Sequence, residues 1–473
     1  MKLTLRNLGR LREATINLDK DLILLTGPNN TSKTYVAHTI YGLGEHGLLS
    51  TAFFISDVLR EKTAHQADAE SKFNLDLMDF VDQHYQQMLD SWVDSYRKTL
   101  PGVLAASEEF LSQTELHLKL DETSHAKEKR RLLNLEIEYK RKGLKGEIDT
   151  ATKASGARAC TFERILAPST EPLTESSPSG SKGYNLLASA SGWMARLLSP
   201  LPTDYYILTA ERAAIQLFSH ELAIKRTELV DSLLLLKSSA RRRLEAGEAL
   251  VEALEQRASR YPLAIREGLL MANDLANYKR QTFPYAPFAD HLERQLLGGA
   301  LRIDEDGQMQ FHPEGSNSSL SLHLSSSSVK SLSGLAFFLR HIAKKGQFLI
   351  IDEPELNLHP DNQRRVARVL ARLSQAGIKV LISTHSDYFI RELNNLIMLS
   401  ADKDGTLRQR HGYEKEETLA PDRIGAYLFN AERSHPIEVK QTGIEVETID
   451  REINNLNSVS QDIYFSLFGN TGA

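Results

Sequence analysis

The order of strand and helix signals predicts an α/β fold. A mixed or parallel sheet is covered by helices, assembled from both ends of the chain and interrupted by a large, mainly helical insertion. Three observations carry this expectation. The chain opens as strand, loop and helix; its last third alternates short apolar strands with helices; the stretch between is charge-rich, with few strand signals.

Taken in order, Leu3 and Leu5, then Ala14, Ile16 and Leu18, alternate as strands with one buried face. Asp21–Thr26 is a short apolar strand that runs into the turn GPNN, and a helix follows from Thr34 to about Leu49. Residues 1–55 form the first part of the core. Residues 56–295 form the insertion, with helical stretches at Phe80–Thr99, Lys127–Lys140 and Thr227–Arg257 and a linker at Pro168–Lys182. These stretches suit a short helical hairpin but not a long coiled-coil arm. Strands return at Leu301, where Asp306-Gly307 between alternating segments signals a hairpin. Residues 296–405 complete the core: strand Leu320–Leu324, a helix to about Ala343, strand Phe348–Ile351, helix Asn362–Leu373, strand Lys379–Ser383 and helix Ser386–Leu393. Residues 406–473 are a C-terminal extension.

Composition narrows the classes. The 473 residues are 41% hydrophobic and 25% charged, with net charge −5, which excludes a globally basic nucleic-acid coat but not a local basic patch. The single cysteine, Cys160, excludes an intramolecular disulfide framework and a Cys-rich metal site, and fits a reducing, cytoplasmic compartment. No apolar run is long enough to span a membrane, and Arg6, Arg10 and Arg12 interrupt any N-terminal signal sequence.

Gly27-Pro28-Asn29-Asn30-Thr31-Ser32-Lys33-Thr34 lies between a strand and a helix, as a phosphate loop requires. Successive backbone N–H groups and the helix N-terminus would bind phosphate oxygens, Lys33 would neutralise them, and Thr34 would offer a hydroxyl oxygen to Mg²⁺. The glycine usual before the lysine is Ser32, which costs energy if that position needs a positive φ. The alternative is a capped helix start with an incidental Lys-Thr. Phe348–Ile351 delivers Asp352 and Glu353 at a strand's carboxyl end, where open α/β sheets bind ligands. Asp352 suits Mg²⁺, and Glu353 suits polarisation of an attacking water.

Together, IIDEPELNLHP and the following LISTHS resemble the ABC-type ATPases of the RecF, SMC and OLD group. The resemblance implies ATP and Mg²⁺ as cofactors, a nucleotide-linked dimer or larger ring, an interface loop from Glu355 to Pro360 that includes Asn357 and His359, and His385 as a γ-phosphate switch. It also implies a signature segment acting on the partner's nucleotide. Ser326, Ser327 and Ser328, ahead of a helix, have the place and the chemistry for it, without the usual glycine. A serine-rich helix cap is the other reading. Thr209-Ala-Glu-Arg-Ala213 resembles an arginine-bearing strand end of anti-phage members, and Arg212 is read either as a phosphate or interface residue or as half of a surface Arg–Glu pair.

Within the group, the likeness is to compact ATPases of bacterial defence systems: the PtuA ATPases of Septu, the AriA ATPases of PARIS and the ATPase half of OLD nucleases. This implies an ATPase that acts as sensor and scaffold for a separate effector such as a nuclease, with nucleic acid or a phage protein as trigger and no membrane partner. Two other readings stand beside it: a RecF/SMC-like repair or chromosome ATPase that binds DNA directly, and a nucleotide-bound scaffold with little hydrolysis. A nuclease site within the chain would need Glu267 and Asp304–Asp306 at strand ends around a metal, yet Glu267 falls in a helical stretch and Asp304–Asp306 in a hairpin turn. The basic runs Lys127–Arg131 with Lys140, Arg141, Lys142 and Lys145, and Arg241–Arg243, read as solvated helix faces or as patches for an acidic partner.

Overall fold

A computed structural model describes residues 1–63, 72–142, 147–166, 186–199, 201–202, 204–219, 261–278 and 283–468. The linker Pro168–Lys182, the stretch Thr227–Arg257 with Arg241–Arg243, and Lys145 lie outside them.

The central sheet has six strands in the order β16-β15-β3-β14-β13-β9. These are β3 (Leu22–Thr26), β9 (Tyr205–Leu208), β13 (Phe348–Asp352), β14 (Lys379–Thr384), β15 (Ile424–Phe429) and β16 (Ser434–Ile437). Five run parallel, and β16 is an antiparallel edge. Every residue of β3, β9 and β13 is buried, as expected of parallel strands covered on both faces. One face meets helix α1 (Lys33–Thr63). The other meets the helices here named α6 (Ser327–His341), α7 (Pro360–Gln375) and α8 (Asp387–Met398).

The fold class is the expected α/β core with a mixed sheet, but its boundaries differ. Strand β15 lies beyond residue 405 and pairs with β3, so the core runs past the expected end of its second part. Strand β9 lies within 56–295 and pairs with β13, so the insertion gives one strand back to the core. The rest of that segment carries more strand than expected. Strands β4 (Lys72–Asp76), β6 (Ile137–Lys142), β7 (Glu147–Lys153) and β8 (Ala159–Leu166) form an antiparallel sheet in the order β4-β8-β7-β6. Strand β5 (Glu115–Lys119) joins β1 (Lys2–Leu8) and β2 (Leu11–Asn17) in a second antiparallel sheet. The expected helix Lys127–Lys140 is split into α3 (Glu122–Asn134) and strand β6. Helices α2 (Leu77–Leu104), α4 (Leu186–Leu197) and α5 (Leu263–Asn273) complete this part.

Helix α1 runs well past Leu49 because its glycines serve packing. A Cβ on Gly42 would stand 2.6 Å from a Val103 methyl and 2.7 Å from the Tyr96 hydroxyl, and one on Gly44 would collide with the Tyr205 ring. Close contact with α2 and β9 outweighs the low helix propensity of glycine. The Asp306-Gly307 hairpin is present: β10 (Gly299–Ile303) pairs with β11 (Met309–Pro313), and β12 (Leu320–Ser321) joins them. Helix α9 (Glu447–Phe468) ends the described chain.

Candidate functional site

The phosphate loop links β3 to α1 at the carboxyl end of the sheet. Gly27, Asn30 and Ser32 have φ of +130°, +61° and +67°. Alternating right- and left-handed residues turn successive N–H groups into one concavity, an anion-binding nest. Gly27 cannot be replaced, since a Cβ there would run into the Phe429 carbonyl oxygen of β15. Ser32 does occupy the left-handed region, so the cost expected of a serine in the usual glycine position is present, about 1 kcal/mol. Pro28, Asn29 and Asn30 are exposed, whereas Thr31 and Lys33 are buried.

The Lys33 ammonium donates to the carbonyls of Gly27 (2.8 Å) and Pro28 (2.7 Å) and to Thr31 Oγ1 (3.3 Å). Burial lowers its pKa, opposed by the charges of Asp352, Glu353 and Glu355. Thr34 Oγ1 donates to Asp352 Oδ2 at 2.8 Å, and Ser383 Oγ donates to Oδ1 of the same carboxylate. Asp352 is buried at the end of β13, where parallel pairing with β14 sets it beside Ser383. The sequence assigns Ser383 no role; its signal is a hydroxyl that follows the buried apolar run Val380–Ile382.

Glu353 follows with φ +49°, a left-handed non-glycine residue and a strain of the kind that collects at functional sites. Its side chain is partly exposed, and burial raises its pKa, with His385 pulling it down and Asp352 and Glu355 pushing it up. His385 Nδ1 lies 3.7 Å from both Glu353 Oε1 and Glu355 Oε1. The three groups therefore stand together at the strand ends.

Of the expected interface loop, Asn357 and His359 are exposed, and His359 caps α7 by accepting from Asp361 N. Glu355 departs from that expectation. It is buried, and its Oε1 accepts from Thr384 Oγ1 (2.6 Å) and His385 N (3.1 Å), so it braces the histidine strand end rather than facing outward. Ser326 caps α6, accepting from Val329 N; Ser326 and Ser327 are exposed and Ser328 is half-buried.

Arg212 is neither a surface pair nor an open phosphate ligand. Its buried guanidinium donates to Thr209 O (3.2 Å), Asp352 O (2.8 Å), Glu353 O (2.8 Å), Ser331 O (3.0 Å) and Ser331 Oγ (3.0 Å). One fork thus ties β9, the acidic end of β13 and helix α6, a use of all-donor geometry that lysine cannot match. Glu267 sits on α5, where it accepts from the Tyr41 hydroxyl, and Asp304–Asp306 form the β10–β11 turn. No group of three or more His, Cys, Asp or Glu suited to a metal ion occurs among the described residues. In the basic run, Lys129 pairs with Asp82, Arg131 with Glu128 and Lys140 with Glu138.

The donor set fits a magnesium nucleotide: a concave array of N–H groups, a buried cation at its rim, and hard hydroxyl and carboxylate oxygens from Thr34 and Asp352. With the sheet order, this defines a P-loop ATPase core of the ABC type. The chain belongs to the family described as AAA ATPase domain, whose model matches residues 1–390. It is also similar to the Old nuclease of Escherichia phage P2, 38% identical over 78 residues that cover 16% of this chain and 13% of that protein. Two solved structures overlap loosely, each at 12% identity. One is the Smc head domain with an extended coiled coil bound to the C-terminal domain of ScpA from Pyrococcus furiosus, with a TM-score of 0.32 over 97% of this chain and 98% of that one. The other is the SMC head domain from Thermotoga maritima, with a TM-score of 0.28 over 93% and 98%. At such scores the fold rests on the sheet order and loop geometry described above.

Proposed function

We propose that the chain binds and hydrolyses ATP, and that its nucleotide state controls a separate effector, a nuclease by preference, in anti-phage defence. The observation that carries the ATPase reading is Asp352 held between Thr34 and Ser383, with Glu353 and His385 beside it. In this reading Lys33 and the loop N–H groups would hold the β- and γ-phosphates, and Thr34 and Asp352 would hold Mg²⁺, which would supply neutralisation of the phosphate charge. Glu353 accepts a hydrogen bond from the attacking water; its raised pKa makes it the better proton acceptor. His385 reads the γ-phosphate. Ser326–Ser328 act on the partner's nucleotide, with Asn357 and His359 on the shared interface. The effector role is supported by the likeness to the Old nuclease and by the carboxylates: Asp352 and Glu353 serve ATP, while Glu267 and Asp304 sit in a helix and a turn.

The test is phosphate release and ATP binding by the wild type and Glu353→Gln. Release should fall on the order of 10²–10⁴-fold with binding retained; unchanged release would remove Glu353 from the chemistry. Metal-dependent cleavage of plasmid and tRNA should require the product of the neighbouring gene. Cutting by this chain alone, lost on Glu267→Ala or Asp304→Ala, would overturn the effector reading.

A further inference from the structure

Helix α9 has 22 residues, about 33 Å, and no buried residue. Its first turns are seated on the core: Ile449 packs against the cluster around α8, and Asp450 lies 3.7 Å from Arg391. From Asn454 to Phe468 every residue is exposed. That exposed part is not polar. Leu456 and Leu467 are each 67% exposed, Ile463 is 52% exposed, and Val459 and Tyr464 flank them.

The apolar positions have a period. Ile449, Ile453, Leu456, Ser460, Ile463 and Leu467 follow steps of four and three residues through three heptads. These positions follow the 3.5-residue repeat of a seam that packs on another helix, and two further exposed aromatics, Phe465 and Phe468, lie outside it. The charges leave the seam unopposed. In a parallel pair Glu452 would face Asn457 and Val459 would face Tyr464, so no like charges meet. One seam position is polar, and a parallel pair sets Ser460 against its own copy, hydroxyl to hydroxyl. An antiparallel pair would set it against an apolar side chain, with its hydroxyl unmatched.

We propose that α9 is a self-association element: a second copy of this chain lays its own α9 in parallel along this seam. The five exposed apolar side chains on and beside the seam, Leu456, Val459, Ile463, Tyr464 and Leu467, counted in both copies, would bury up to about 1,100 Å², at the ~1,000 Å² of a specific interface, while Phe465 and Phe468 stay outside it. Two-fold symmetry makes the contact self-complementary and closed, and the parallel arrangement holds both ATPase cores at the same end. The contact uses no residue of the nucleotide site, so it forms without ATP.

Cys160 is the chain's single cysteine and is buried, so an introduced thiol reports alone. The full chain carrying Ser460→Cys, nucleotide-free, should form a disulfide-linked dimer on mild oxidation in the majority of molecules. Ser458→Cys, on the opposite face, should stay monomeric on a non-reducing gel. Adding Leu456→Asp and Ile463→Asp, both at exposed positions that leave the core intact, should abolish the cross-link and halve the mass seen by light scattering without ATP. Equal cross-linking at both positions, a cross-link that appears only with ATP, or a nucleotide-free monomer that forms none would each overturn the proposal.

Discussion

Two strand ends make the candidate site, and they work by opposite means. At the end of β3 the ligand-facing groups are backbone N–H donors, shaped by the left-handed Asn30 and Ser32, and one lysine side chain. At the end of β13 they are carboxylates, and two are fixed by side chains from elsewhere, Asp352 by Thr34 and Ser383 and Glu355 by Thr384, while Arg212 holds the backbone carbonyl of Glu353. A backbone cradle tolerates substitution wherever φ allows it. A carboxylate cluster needs buried support, because like charges repel and a desolvated carboxylate without partners protonates. The loop is therefore written in a short motif, whereas the acidic end is written across β9, α6, β13 and β14.

That contrast can be broken experimentally, with the largest effect on the supported side. Arg212→Ala leaves buried carbonyls of Asp352, Glu353 and Ser331 without their donor; a loss of about 3–5 kcal/mol in stability is expected, read as a fall in Tm and in the denaturant midpoint. Arg212→Lys keeps the charge but not the fork, and should recover less than half of that loss. A change under about 0.5 kcal/mol in Arg212→Ala would show that the acidic end supports itself. Next, Lys33→Ala should weaken ATP binding on the order of 10–100-fold by calorimetry, with a smaller fall in Tm than Arg212→Ala, since it leaves two loop carbonyls and the Thr31 hydroxyl rather than two strand ends and a helix without a donor. Equal affinity would remove Lys33 from phosphate binding. The smallest effect belongs to Ser32→Gly. It relieves the left-handed serine but frees the unfolded chain, so stability should change by less than about 1 kcal/mol, with ATP turnover kept or raised. Abolished turnover would show that the Ser32 hydroxyl has a task of its own.

The same contrast explains what the sequence disclosed. Gly27–Thr34 and Asp352–Glu353 stand out because an apolar strand ends abruptly in residues of one chemistry. Arg212 could be noticed in TAER, but its five acceptors are mostly backbone carbonyls and carry no residue signature. Strand β15 escaped notice because it is six residues long, contains Gly425, and follows a polar stretch. Strands β6 and β7 escaped because Lys140, Arg141 and Lys142 continue the charge pattern of α3, and only the antiparallel pairing separates them. The sequence pattern sets Glu355 on the outer loop with its neighbours, yet the turn that exposes Asn357 points the glutamate inward to Thr384.

The interleaved strand order has a cost in time. Asp21, at the start of β3, is partnered by Arg423, 402 residues later. At about 5–20 residues per second of synthesis, the nascent β3 and α1 wait roughly 20–80 s before β14 and β15 leave the ribosome. The antiparallel sheet β4-β8-β7-β6 and helix α2, by contrast, close locally within the first half of the chain. The newborn protein thus carries locally paired strands beside a buried-type strand, β3, whose neighbours β14 and β15 are still to come.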